Sequence, residues 1–229
     1  LYWAGKGVDG FRCDMAEMVP VEFWAWVTKS VKEKYPKTVF IAEIYNPAIY
    51  KDYVVKGGFD YLYDKVGLYD KVRPLMEGKP DAKVAGITEA LQQSEGIDGN
   101  MLRFLENHDE QRISSKDFAG DPRAGIPGMA VTALIGGGPV LIYNGQESGE
   151  KGEGTEGFGG EDGRTSIFDY WGVPAHQAWV NDGKFDGGGL DQVQKDLRAF
   201  YTKLLHLIHS EQVFTDDERM ILPTTERGI

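Results

Sequence analysis

Short apolar runs that end on acidic or polar residues alternate along the chain with stretches of helical period. Residues 7–14 (GVDGFRCD) read as a strand ending in charge. Residues 21–34 follow as a helix, with Phe23, Val27 and Val31 at four-residue spacing and Pro20 and Glu22 at its start. Residues 38–43 (TVFIAE) form a β-branched, apolar strand that again stops on a carboxylate, and 59–63 (FDYLY) a weaker one. A helix over 84–94 leads to a strand over 100–106 that runs into Asn107-His108-Asp109. A helix over 127–135, halted by Gly136–Gly138, precedes the buried strand 139–143 (PVLIY). Residues 145–189, rich in Gly, Asp and Glu, read as an elaborated loop. An amphipathic helix over 191–209 closes the pattern, with Val193, Leu197, Tyr201, Leu204 and Ile208 on one stripe.

Strands alternating with helices predict βαβ units, hence an α/β fold whose parallel sheet is covered on both faces. Five strands do not by themselves choose between an open doubly wound sheet and a barrel. The polar residues gathered at the C-terminal ends of several strands favour the barrel, where sites assemble at that rim. The 229 residues approach the roughly 250 of one (β/α)₈ barrel.

Charge narrows the ligand. A net charge of −11 repels nucleic acid and anionic lipid, leaving a neutral or cationic ligand. Aromatic residues make up 12% of the chain, which suits stacking on sugar rings and equally suits an ordinary core. Cys13 is the only cysteine, so no intrachain disulfide forms. No apolar run approaches the length of a membrane span, and no signal peptide is visible.

Three strand ends carry the candidate chemistry. Arg12 and Asp14, two apart on a strand, point to one face. A guanidinium beside a carboxylate keeps it ionised, as a nucleophile requires, although a structural ion pair would look the same. Glu43 follows Phe40, Ile41 and Ala42; apolar surroundings favour a protonated carboxyl group, suited to a general acid, unless the residue is simply solvated. Asp109 closes Asn107-His108-Asp109, where an ordinary helix cap, with Asn107 and Asp109 both capable of that role, would look the same. Two carboxyl groups in different protonation states, with a third anion against an oxocarbenium-like transition state, are what glycoside hydrolysis needs. No Cys/His spacing suggests zinc, and no GxxxxGK[ST] or GxGxxG follows a strand.

These blocks resemble those of the α-amylase family of glycoside hydrolases. Gly10-Phe11-Arg12-Cys13-Asp14 is similar to the family's GFRxD block at strand four, and Phe40-Ile41-Ala42-Glu43 to its strand-five block. Asn107-His108-Asp109 resembles the strand-seven block, and residues 138–147 (GPVLIYNGQE) the GxPxxYxGxE block at strand eight. The resemblance implies a (β/α)₈ TIM barrel represented by strands four to eight with their helices. It implies a retaining double displacement on α-1,4-glucosidic bonds of starch or maltooligosaccharides. Asp14 would be the nucleophile, Glu43 the acid/base and Asp109 the transition-state stabiliser, with Arg12 and His108 binding. No redox cofactor or metal ligand in this chain is implied.

The resemblance has gaps. The family's strand-three block and first three strands are absent, so residues 1–212 are expected to be a partial catalytic barrel. Such a piece, expressed alone, is expected to be poorly stable and inactive, because its parallel edges and hydrophobic face stay open. Residues 213–229 would begin a C-terminal β domain or tail. Calcium, held in relatives by a strand-three Asn that this chain lacks, is an expectation for the full-length protein only. Many amylases carry a Lys-His pair three and four residues after the nucleophile; Glu17 and Met18 stand there instead, which leaves the leaving-group subsite and product pattern open. A transglycosidase or sucrose-type glucosyltransferase would share all these blocks. A non-catalytic amylase-like transporter subunit would typically lack the carboxylates and carry a membrane helix. An extracellular or periplasmic setting fits a starch substrate.

Overall fold

The computed structural model describes residues 1–154, 161–167 and 172–214. Five strands, β1 (Gly10–Cys13), β2 (Val39–Ala42), β3 (Tyr61–Tyr63), β4 (Met101–Phe104) and β5 (Val140–Leu141), form one parallel sheet in sequence order. Helix α1 (Val21–Lys32) connects β1 to β2, and α2 (Tyr50–Val55) connects β2 to β3. A π-helical stretch (Lys65–Tyr69), α3 (Asp70–Met76) and α4 (Ala85–Gln93) lie between β3 and β4, and α5 (Gly125–Leu134) between β4 and β5. After β5 come α6 (Pro174–Val180) and the 19-residue α7 (Gln192–Ser210). Sequential parallel pairing through helical crossovers is how a (β/α) barrel winds, and this sheet is five strands of such a barrel.

Register decides which residues face which side. Arg12 pairs with Ile41 and Ile41 with Tyr61; Cys13 pairs with Ala42, and Ala42 with Leu62. Paired residues in a parallel ladder point the same way and neighbours in sequence point oppositely. One face therefore carries Cys13, Phe40, Ala42, Leu62 and Met101, packed under α1 and α2 with Trp24, Val31, Tyr50 and Tyr53. Leu62 and Met101 are completely buried, each worth about 1.5–3 kcal/mol of transfer free energy. The opposite face carries Ile41, Tyr61, Tyr63, Leu102, Phe104 and Leu141, with Tyr69 stacked on Phe104. A second helix-side core joins Leu68, Val72, Met129, Leu197 and Tyr201 across α3, α5 and α7.

Two glycines allow close approach. A Cβ on Gly10 would stand 2.6 Å from the Val39 carbonyl oxygen, and one on Gly138 2.1 Å from that of Met101, so a side chain would force strands apart at both places. The start of α7 is held by a capping box: Asp191 accepts from Gln194 N, and the Gln194 side chain accepts from Asp191 N.

The structure departs from the sequence reading in three places. Helices α2 and α3 and the π-helical stretch were not expected; α2 is six residues long and α3 contains Pro74, so neither shows a sustained apolar period. The stretch 145–189, expected as loop, contains a 3-10 turn (Gln146–Ser148) and α6 within its described residues. The strands are shorter than their apolar runs. Of the expected tail, Val213 and Phe214 end a 3-10 turn (Gln212–Phe214), and 215–229 lie outside the described residues. No helix among the described residues is long and apolar enough to cross a membrane.

Candidate active site

Asp14, Glu43 and the Asn107–Glu110 loop sit at the C-terminal ends of β1, β2 and β4, on the rim opposite the strands' starts. Two-residue alternation puts Arg12 and Asp14 on the face away from the helices, level with Ile41 and Glu43 on β2. Arg12 joins the carboxylates. Its Nη1 donates to Asp14 Oδ1, while Nη2 lies 2.9 Å from Glu43 Oε1, within ion-pair reach but not aligned as a hydrogen bond. The guanidinium also lies 5.3 Å from the Tyr63 ring centre. Burial works against its charge, but bonding to Tyr63 and Asp14 and the field of Glu43 outweigh it, raising its pKa further.

The two carboxylates differ in setting. The Asp14 side chain is 75% exposed, whereas that of Glu43 is 4% exposed. The apolar pocket expected around Glu43 is not what the structure shows. Phe40 and Ala42 face the helix-side core, and the Glu43 carboxylate is surrounded by donors. Its Oε2 accepts from Met15 N at 2.8 Å, and its Oε1 accepts from the Tyr45 hydroxyl at 2.8 Å. Met15 can present that N–H because its backbone is left-handed (φ 44°), a conformation costing a non-glycine residue on the order of 1–2 kcal/mol. The turn after β1 is thus strained in the place where it meets Glu43. Burial, then the Glu43 carboxylate, raise the Tyr45 phenol far above its ordinary pKa, so it remains a donor; the charges of Asp109 and Glu110 reach it as well.

Asp109 caps no helix. The Asn107 side chain makes the turn, its Oδ1 accepting from Asp109 N at 2.9 Å and from Glu110 N at 3.0 Å. His108 Nε2 lies 3.2 Å from Asp109 Oδ2, and both side chains are partly exposed. Behind them, Glu110 accepts from Tyr69 and Arg73 and pairs with Lys65.

Several residues in or under the rim escaped the sequence reading. Tyr45 and Tyr63 touch the carboxylate cluster. Glu106 and Arg112 form a buried pair beneath it: Arg112 Nη1 donates to Glu106 Oε2 at 2.8 Å, Nη2 to the Asn144 carbonyl and Nε to Thr165 Oγ1. The signal available was a second acidic residue, Glu106, in the same polar run as Asp109. On the helix side, Arg103 is buried between Asp64 and Asp98. Among the described residues, no group of three or more His, Cys, Asp or Glu side chains comes together as a metal site.

Comparison with known proteins gives this rim a context. A sequence model described as "Alpha amylase, catalytic domain" matches residues 1–169. Alpha-amylase 2 of Dictyoglomus thermophilum is 31% identical over 155 residues, 65% of this chain and 26% of its own. An alpha-1,4-glucan:maltose-1-phosphate maltosyltransferase of Chlorobaculum tepidum is 38% identical over 63 residues, 28% of this chain and 9% of its own. Among solved structures, the cyclic alpha-maltosyl-(1-->6)-maltose hydrolase of Arthrobacter globiformis superposes with a TM-score of 0.66 at 19% identity, covering 93% of this chain and 43% of that one; this likeness is one of fold. The chain spans less than half the length of each of these relatives.

Proposed function

Because the chain belongs to the α-amylase catalytic-domain family, we propose that its rim carries out retaining cleavage of α-1,4-glucosidic bonds in starch or maltooligosaccharides. Asp14 attacks the anomeric carbon while Glu43 gives its proton to the departing glycosidic oxygen. Glu43 then takes a proton from water, which breaks the Asp14–sugar ester and restores both groups with retained configuration. Arg12 holds Asp14 in orientation, and Asp109 with His108 grips the sugar and stabilises the positive charge on its ring.

The observation that carries this reading is that one guanidinium, Arg12, reaches both Asp14 and Glu43. Carboxyl groups that share a guanidinium stand close together. That places both within reach of one glycosidic bond, as an acid and a nucleophile acting on the same linkage must be; retention itself is what the family resemblance implies.

The test uses the full-length protein with maltooligosaccharides. Asp14→Asn and Glu43→Gln are each expected to lower kcat by roughly 10²–10⁴-fold or more, and product released at early times should have the α configuration by NMR. Inverted product, or either variant within tenfold of the parent, would overturn the assignment.

A second reading concerns the acceptor. The match to a maltosyltransferase favours resolution of the glycosyl-enzyme by a sugar hydroxyl instead of water. Elongated chains as the main products from maltodextrin would establish transfer; shortened chains would establish hydrolysis. Absence of any cleavage or transfer on starch, maltodextrin and sucrose would count against both.

A further inference from the structure

Glu17 is half-buried and bonded within the protein. It follows Asp14 by three residues, where many amylases have a lysine, and its carboxylate is turned into the loop after β2. A single oxygen, Oε2, accepts from the backbone N–H of Tyr45 and of Asn46, each at 3.0 Å. The backbone of the same turn is tied down independently, because the Tyr53 hydroxyl lies 2.9 Å from the Val19 carbonyl and 3.3 Å from that of Glu17. Tyr45, gripped at its own N–H, carries its hydroxyl back to Glu43 Oε1 at 2.8 Å. The chain of contacts therefore runs from the β1 turn, through the β2 loop, to the buried carboxylate.

We propose that Tyr45 and Glu17 are positioning residues for Glu43, Tyr45 by hydrogen-bonding its carboxylate and Glu17 by anchoring the loop that aims Tyr45. The inference rests on the reading of Glu43 as acid/base. The groups around Glu43 are Arg12 from β1, the N–H of Met15 from the β1 turn, Tyr45 from the loop after β2, and, acting through Tyr45, Asp109 and Glu110 from the loop after β4. The Met15 N–H and the nearby charge of Arg12 would remain if Tyr45 lost its hydroxyl. The Glu43 carboxylate would keep one of its two hydrogen bonds, that from Met15 N, and lose the one that fixes Oε1. Since the first step needs Glu43 protonated, loss of a donor to the carboxylate moves the alkaline limb of the kcat/KM profile to higher pH.

The experiment compares Tyr45→Phe, Glu17→Ala and Glu17→Gln in the full-length protein on a maltooligosaccharide, with kcat and KM measured across pH. Tyr45→Phe, which removes one oxygen and leaves the ring, should lower kcat about 10- to 100-fold with little change in KM and shift the alkaline limb upward. Glu17→Ala should reproduce that shift. Glu17→Gln, which retains an acceptor oxygen, should recover most of the loss. The double variant Tyr45→Phe/Glu17→Ala should lose no more than Tyr45→Phe alone, since the two act in series. A role in folding only would lower the melting temperature and leave the pH limb in place. Tyr45→Phe with kcat within twofold and an unmoved limb overturns the proposal, as does a fully additive double variant. Glu43→Gln, run beside them, separates the failures. Activity that survives it removes the reading and the inference together; activity lost there but intact in Tyr45→Phe removes the inference alone.

Discussion

Arg12 and Arg112 are both bound to carboxylates at the same end of the sheet, yet they are built for different purposes. Arg112 is 1% exposed, and its three nitrogens are each spent on a different partner: Glu106, the Asn144 carbonyl and Thr165. Its guanidinium also stacks 4.1 Å from the Tyr143 ring centre, so the loops after β4 and β5 are fastened together. Arg12 is a quarter exposed, its Nε is buried without a partner, and one of its two carboxylates opens to solvent. A saturated ion pair is finished as structure, whereas an unsaturated one keeps capacity for something that binds later. The acidic partners follow the same division. Burial raises the pKa of Glu106 against the pull of Arg112, a cost carried for rigidity, while Asp14 stays at the surface where a substrate could reach it.

The largest expected effect separates the two arginines by readout. Arg112→Ala leaves Glu106 buried beside a vacated site and should cost about 3–5 kcal/mol of stability, a drop of roughly 10 °C in melting temperature. Arg12→Ala should lower kcat/KM by roughly 10²-fold or more while moving the melting temperature by less than a third of that drop. Equal melting-temperature losses in calorimetry would erase the distinction drawn between them.

A smaller effect probes the turn that presents Asp109. Asn107→Ala removes the acceptor shared by Asp109 N and Glu110 N. It should lower kcat by roughly tenfold, with Asn107→Asp, which keeps the acceptor, nearer the parent. If Asn107→Ala lowers only the melting temperature, the turn serves the Arg112 side of the comparison and not the Arg12 side.

The smallest effect tests the alternation that turns Arg12 toward the site. Cys13, the next residue, must then face the helices. Burial there pushes its thiol up to about 11, partly opposed by Arg12. The reactive thiolate is thus on the order of 0.1% of the total at pH 8 and grows about tenfold with each pH unit up to that value. Alkylation by iodoacetamide, followed by mass spectrometry, should be slow at pH 8 and accelerate accordingly. Rapid labelling at pH 8 would mean that residues 12 and 13 are assigned to the wrong faces.

Where the hydrophobic pattern was strong, the fold was legible in it. Val39–Ala42 and Met101–Phe104 lie inside apolar runs expected as strands, and Asp191 stands where a helix should begin and caps α7. Helices α2 and α3 were hidden by brevity and by Pro74. At the site, Asp14, Glu43 and Asp109 could be named because each closes a strand-like run. The partners of Glu43 could not, because Met15 lies 28 residues away and reaches it only through a left-handed turn. Glu17 invited comparison with a lysine that contacts substrate; its bonds to Tyr45 and Asn46 cross 28 and 29 residues and belong to the packing of one loop on another.

By itself the sequence determined the order of the five strands and of the longer helices α1, α4, α5 and α7, the common face of Arg12 and Asp14, and the acidic residues at the rim. Those depend on periods of two and 3.6 residues and on which side chains can hold charge, all local properties of the chain. The tertiary structure alone decided that one arginine bridges two carboxylates, that Glu43 is ringed by donors and not by hydrocarbon, and that Glu17 serves a loop. Burial and hydrogen-bond partnership are set by residues brought together from distant parts of the chain, and a local pattern holds no record of who those neighbours will be.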